Sequence, residues 1–115
     1  MIKGVHTMFY SSEPEALRAF LRDVIGFSSF DVGGGWLIFQ LPEADMGVHP
    51  TEGQPKSGSA DLSFYCDDIE ATRAELEAKG VTFADAIADH GYGFVTHLHA
   101  PGGFQIQLYQ PKYGR

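Results

Sequence analysis

His97 and His99 stand two residues apart in the stretch "FVTHLHA" at 94–100. On a strand that spacing puts both imidazoles on one face. There they can chelate a cation or grip an anionic ligand, and either can carry a proton near neutral pH. His49, just before Pro50, and His90, in a loop, read as surface residues. The single cysteine, Cys66, has no evident base near it in sequence and reads as a small buried hydrophobe rather than a nucleophile. The "GGG" at 33–35 precedes a strand and not a helix, so it is not a phosphate-cradling loop.

The elements that must position these residues come in two similar runs. "FYSSEPEA", from Phe9, nearly returns as "FYCDDIEA", from Phe64. In the first run a strand is predicted over 3–10, then a helix with Ser12 as N-cap and Glu15 completing a capping box. Pro14 falls early in that helix, Leu17, Phe20, Leu21 and Val24 form its apolar stripe, and Gly26 ends it. Strands follow near 27–32, 36–41 and 44–49. Residues 50–59, "PTEGQPKSGS", have the composition of a linker. The second run gives a strand at 60–66, a helix over 68–79 that stops at Lys79-Gly80, and strands near 81–86, 93–99 and 104–110. Each half is β-α-β-β-β, and the repeated octet marks the same strand-to-helix junction in both.

A helix that follows the first strand of each half must cover one face of that half's sheet. Alternation assigns Val5, Thr7, Phe9, Ala60, Leu62, Phe64, Phe104, Ile106 and Leu108 to the helix side, with Cys66 beside Phe64. The other face carries His6, Met8, Tyr10, Asp61, Ser63, Tyr65, Gln105, Gln107 and Tyr109. Alternation leaves two readings of this hydrophilic face, one wet and one lining a cavity. Trp36, Tyr92 and Tyr10 either pack or stack on a ligand.

The 115 residues fit one domain with a real core. With a formal net charge of −7 and no cluster of Lys or Arg, a phosphate-binding surface is not expected, so neither nucleic acid nor an anionic membrane is an expected partner. No signal peptide and no apolar run of membrane-spanning length is read, and a cytoplasmic protein is the expectation.

Three segments resemble, in order and spacing, those of the vicinal oxygen chelate superfamily, which includes glyoxalases, bleomycin-resistance proteins and extradiol dioxygenases. They are "FLRDVIGF" (20–27), "DDIEATRAELEAKGVTF" (67–83) and "APGGFQIQLYQP" (100–111). The resemblance implies an α+β fold, a single domain of two βαβββ modules (about 1–50 and 60–111, joined by 51–59) that form a partly open barrel around a small-molecule or metal site. It also implies a homodimer and favours the cavity reading. Related members take one metal ligand from the first strand, one from the fifth and one from the last. His6, Asp61 and Gln107 fall at those positions, and Ni, Mn, Fe or Zn is the implied ion. The set departs from the family pattern, because Asp61 replaces the commoner His, Gln107 replaces Glu, and Met46 stands where a further ligand of module one is usual.

Two functions follow from the resemblance. One is a metal-dependent lyase or transferase acting on a small oxygenated or thiol-adduct substrate. In it His97 or His99 is the catalytic proton carrier, and Met8, Trp36, Ser63 and Tyr92 contact substrate. The other is a metal-free protein that binds and sequesters an antibiotic-like molecule, for which a charge of −7 suits a cationic ligand.

Overall fold

The computed structural model describes residues 6–44, 48, 53, 57–58 and 60–112. In chain order they form α1 (Pro14–Ala19), a π-helical segment (Phe20–Ile25), β1 (Ser28–Asp31), β2 (Leu37–Gln40), β3 (Ser63–Tyr65), α2 (Ile69–Ala78), β4 (Ala88–Asp89), β5 (Gly93–Ala100) and β6 (Phe104–Pro111). β1 and β2 make an antiparallel hairpin. The other four strands form a mixed sheet in the order β3-β6-β5-β4, with β3 and β6 parallel. The fold is the expected α+β class.

The long antiparallel pair β5–β6 is the centre of the sheet. Its apolar alternates, Leu98, Ala100, Ile106 and Leu108, are buried. They meet Ile69, Leu76 and Val81 from α2 and its C-terminal turn, and Leu17 from α1, in one cluster. Phe20, Leu21, Val24 and Ile25 of the π segment pack on the same cluster, as do Phe9, Phe64, Cys66 and Phe104. Both helices therefore cover the same sheet face. Each large side chain buried there contributes roughly 1.5–3 kcal/mol. Gly93 opens β5 where only glycine fits, since a Cβ there would lie 2.5 Å from the Gln110 carbonyl oxygen.

α2 ends as its sequence predicts. Asp68 caps it, with Oδ1 accepting the Ala71 N–H at 3.0 Å. At the other end Gly80 takes φ +91°. Gly80 N–H donates to the Glu77 carbonyl and Val81 N–H to that of Leu76. This six-to-one closure leaves Val81 and Leu76 both buried.

The first helix differs from expectation in two ways. Its cap is Glu13, without a side-chain cap bond, and Ser11 rather than Ser12 is engaged, its Oγ accepting the Glu13 N–H at 3.0 Å. The second half of the helix widens into π geometry. Phe20, Leu21, Val24 and Ile25 are adjacent pairs one turn apart. A wider turn lets both pairs reach the core, which a single α-helical stripe serves less well. Gly26, at φ +89°, closes the segment as predicted, and both its N–H and that of Phe27 donate to the Leu21 carbonyl.

Strand formation is also less extensive than alternation suggests. Residues 6–10 of the predicted 3–10 strand form no strand, and among the described residues they have no ladder partner. They are held by side chains instead. Phe9 stacks on Phe104 with ring centroids 5.1 Å apart, and Gly102 N–H donates to Glu13 Oε2 at 3.1 Å. The strand predicted over 81–86 is reduced to a bridge between Phe83 and Leu98, flanked by Ala84 N–H to His97 O and His99 N–H to Thr82 O. Within 60–66 only β3 is paired. Val5, Met46, His49 and most of 44–59 lie outside the described residues. Among the described residues no helix is long and apolar enough to cross a membrane.

Leu98 is fully buried at the centre of the cluster. Leu98→Ala should lower unfolding free energy by about 2–5 kcal/mol. Asp68→Ala, which removes one cap acceptor, should cost about 1 kcal/mol. Urea denaturation followed by circular dichroism measures both.

Candidate ligand-binding face

Once one sheet face is committed to the helices, the period of two sends the intervening side chains to the other face. Register then sets them in rows. Gln107 pairs with Ser63 on one side and His97 on the other, so these three polar residues stand abreast across β3, β6 and β5. One row along, Tyr109 lies between Tyr65 and Val95. In the opposite direction Gln105 pairs with His99. Val95 is buried without belonging to the helix-side core, so part of this face is itself packed.

The tyrosines form a connected wall. Tyr65 and Tyr109 have ring centroids 6.2 Å apart, Tyr109 and Tyr92 are 6.3 Å apart, and His90 meets Tyr92 edge-on at 6.1 Å. Tyr92 is half exposed. The Tyr65 hydroxyl donates to Glu43 Oε2 at 2.5 Å, which places a carboxylate from the segment after β2 at the border of this wall. The resulting surface combines π faces, an amide, an imidazole and a carboxylate.

His97 has a partner that spacing along the chain did not reveal. Its Nδ1 lies 2.7 Å from Asp85 Oδ2, and its backbone N–H donates to Asp85 Oδ1 at 2.9 Å. The same Oδ1 accepts the hydroxyl of Thr96, which is fully buried, at 3.0 Å. Arg73, from α2, donates through Nη1 to Thr96 Oγ1 at 3.0 Å and to the Asp85 carbonyl at 2.6 Å. Its guanidinium lies over the Phe83 ring, 4.6 Å from the centroid, and its Nε is 3.6 Å from Glu77. A chain of hydrogen bonds thus passes around the sheet edge, from the helix side to the open face. Burial opposes ionisation of Asp85. The hydrogen bonds from the His97 ring, the His97 backbone and Thr96 more than offset it, and hold the carboxyl below its ordinary range.

The other expected site residues are placed as follows. Ser63 and Gln107 flank the row with His97. His99 is on the same face, exposed, opposite Gln105. Tyr92 joins the aromatic wall. Trp36 is half exposed at the start of the hairpin, with the Arg18 guanidinium 4.9 Å from its ring centroid. Among the described residues no ring contact links it to Tyr92. His6 and Met8 are exposed on the unpaired segment before Phe9, and Asp61 is exposed two residues before β3 begins. Burial pushes the Cys66 thiol up, and its Sγ sits 3.7 Å from the Tyr109 carbonyl, both consistent with an inert packed side chain.

As a metal centre the implied trio fits poorly. Of His6, Asp61 and Gln107, only Gln107 is on a paired strand, and register sets it beside Ser63 rather than Asp61. The donors comprise one imidazole, one carboxylate and one neutral amide, which is little charge to offset a dication. Among the described residues no three His, Cys, Asp or Glu side chains are grouped to hold an ion. Asp85 and Glu43 are not indicated by the sequence pattern, whereas Tyr65 and Tyr109 fall on this face by alternation but carry no role there until their rings are seen to adjoin. Asp85 was accessible in principle: once Phe83 is registered against Leu98, an antiparallel count carries Asp85 to Thr96 and thus beside His97.

The depressed carboxyl of Asp85 has a signed consequence. Its contribution to stability is present above the ordinary carboxylate pKa of about 3.9 and is lost as pH falls through the lower folded value. Asp85→Asn should therefore be less stable than wild type at pH 7, with the difference shrinking below about pH 4. Urea midpoints for the two proteins between pH 7 and pH 2.5 measure this.

Comparison with known proteins agrees with this architecture. The sequence model of the Glyoxalase/Bleomycin resistance protein/Dioxygenase superfamily matches residues 3–108. No curated protein matches the chain. Among solved structures, TnmS3, an antibiotic binding protein from Streptomyces sp. CB03234, superposes with a TM-score of 0.65 at 24% identity, covering 97% of this chain and 100% of that one. Lactoylglutathione lyase from Agrobacterium tumefaciens gives a TM-score of 0.65 at 18% identity, covering 90% of each chain. A glyoxalase/bleomycin resistance protein from Streptomyces sp. CB03234 gives 0.59 at 26% identity, over 87% of this chain and 93% of that one. With nearly its whole described length matched, from the segment before α1 to β6, the chain belongs to the Glyoxalase/Bleomycin resistance protein/Dioxygenase superfamily.

Proposed function

We propose that the open face of the four-stranded sheet binds a small planar cationic molecule without needing a metal. The observation that carries this reading is the wall of Tyr65, Tyr109 and Tyr92 beside the polar row Ser63–Gln107–His97. Aromatic faces attract flat ligands and cations. The net charge of −7 favours positive charge over negative. The antibiotic-binding neighbour TnmS3 supports a binding role on the same fold.

A second copy of the chain completes the pocket. Met8, Phe30, Val32, Trp36 and Leu41 are large apolar residues left exposed by the first half. The Cα radius of gyration, 15.1 Å, exceeds the roughly 13 Å of a compact domain this long. Both features suit a homodimer in which the first half of one protomer covers the tyrosine wall of its partner. Sedimentation equilibrium should return twice the 12.6 kDa chain mass.

The Asp85–His97 pair favours a second reading, a lyase or transferase in which His97 moves a proton; it would require His6, Asp61 and Gln107, which the described strands do not set in one row, to be brought together on a divalent ion. One titration separates the two. Proflavine, a planar aromatic cation, should bind and perturb its own fluorescence, and the binding should survive a chelator. Tyr92→Ala and Tyr109→Ala should each weaken it about fivefold, while Tyr92→Phe stays near wild type. Absence of binding up to millimolar proflavine, or near-stoichiometric metal that Asp61→Ala abolishes, would favour the enzyme.

A further inference from the structure

We infer that Asp85 is a positioning residue that locks His97 as the Nδ1–H tautomer and presents Nε2 to the ligand as a hydrogen-bond acceptor. The inference rests on the ligand face proposed above. An ionised carboxylate only accepts hydrogen bonds, so the 2.7 Å contact requires the proton on Nδ1. Asp85 cannot readily turn away. Its Oδ1 receives the His97 backbone N–H, the Thr96 hydroxyl lies within reach of both that oxygen and the Asp85 carbonyl, and Arg73 fixes the carbonyl. Among the described residues no hydrogen-bond partner faces Nε2. That lone pair belongs to the residue abreast of Gln107, on the face that carries the tyrosines. A neutral imidazole free of such a contact has no fixed assignment of donor and acceptor, whereas this one is committed before any ligand arrives. The site therefore selects a ligand with an N–H or O–H group directed at His97.

Asp85→Asn tests this with little change in shape. Oδ1 faces the His97 backbone N–H, which can only donate, so the carboxamide oxygen takes that place and its NH2 faces Nδ1. Nδ1 then has to accept, and the proton moves to Nε2, as the same exchange does in other Asp–His pairs. Long-range 1H–15N spectra of the full chain, at a pH where the ring is neutral, should show Nδ1–H for His97 in wild type and Nε2–H in Asp85→Asn. The ligand consequence is read with two dyes of one ring system. Proflavine carries exocyclic N–H donors, whereas those nitrogens in acridine orange are fully methylated. Wild type should prefer proflavine about fivefold, and Asp85→Asn should lose that preference.

Nε2–H in the wild-type spectrum would overturn the inference, and that spectrum decides alone if Asp85→Asn fails to fold. An undiminished dye preference in a variant with the inverted tautomer would also overturn it. If neither dye binds while the tautomers are as expected, the proposed ligand class fails and the assignment of Asp85 stands.

Discussion

Leu98, Ile106 and Leu108 are pressed against both helices, and everything on the far side of the sheet follows from that constraint. A strand has no third direction for its side chains. Committing residues 98, 106 and 108 to the helices fixes His97, Gln107 and Tyr109 on the other surface. Burial of that face outweighs any single contact on the open side, since every large apolar group in it contributes more than an exposed hydrogen bond. Parallel pairing of β3 with β6 then adds Ser63 and Tyr65 in step. The polar row and the tyrosine wall are thus consequences of core packing, and they need no interaction of their own to hold them in line.

The edge of the sheet works differently. There the chain from Phe83 to Asp85 makes a bridge and a few hydrogen bonds rather than a full strand. That leaves the Asp85 carboxylate available to side chains. Arg73 and Thr96 belong to the buried side and His97 to the open side, and Asp85 bonds to all three. Such a network is worth most when every member is satisfied, and no buried side-chain polar atom in the described residues lacks a partner. The position of α2, set by Ile69 and Leu76, is in this way coupled to the orientation of one imidazole on the opposite face.

TnmS3, named an antibiotic binding protein, and the Agrobacterium lactoylglutathione lyase share this fold, so fold membership alone does not choose between binding and catalysis. The composition of the open face is the feature of this chain that bears on the choice. Three phenols and two amides line it, and the His97 imidazole is held by hydrogen bonds to Asp85 within the protein. A surface of that kind gains affinity from flat apolar area and selects by a few placed donors and acceptors.

The amino-acid sequence by itself determined what depends on neighbours along the chain. The alternation in 93–99 and 104–110 sorted the two faces as the structure has them, because a period of two is local geometry. Asp68, Gly80 and Gly26 marked helix ends where they occur, because caps and left-handed closures act within one turn. Three segments read in order pointed to the family. Tertiary structure alone decided the rest. The π turn arose because Phe20, Leu21, Val24 and Ile25 all answer to one core, and residues 6–10, which form no strand, are tied in through the Phe9–Phe104 stack. Asp85 meets His97, and Glu43 meets Tyr65, only through the register of separate elements. Such contacts depend on how strands align in space, and that alignment is set by burial across the whole sheet rather than by any residue's sequence neighbours.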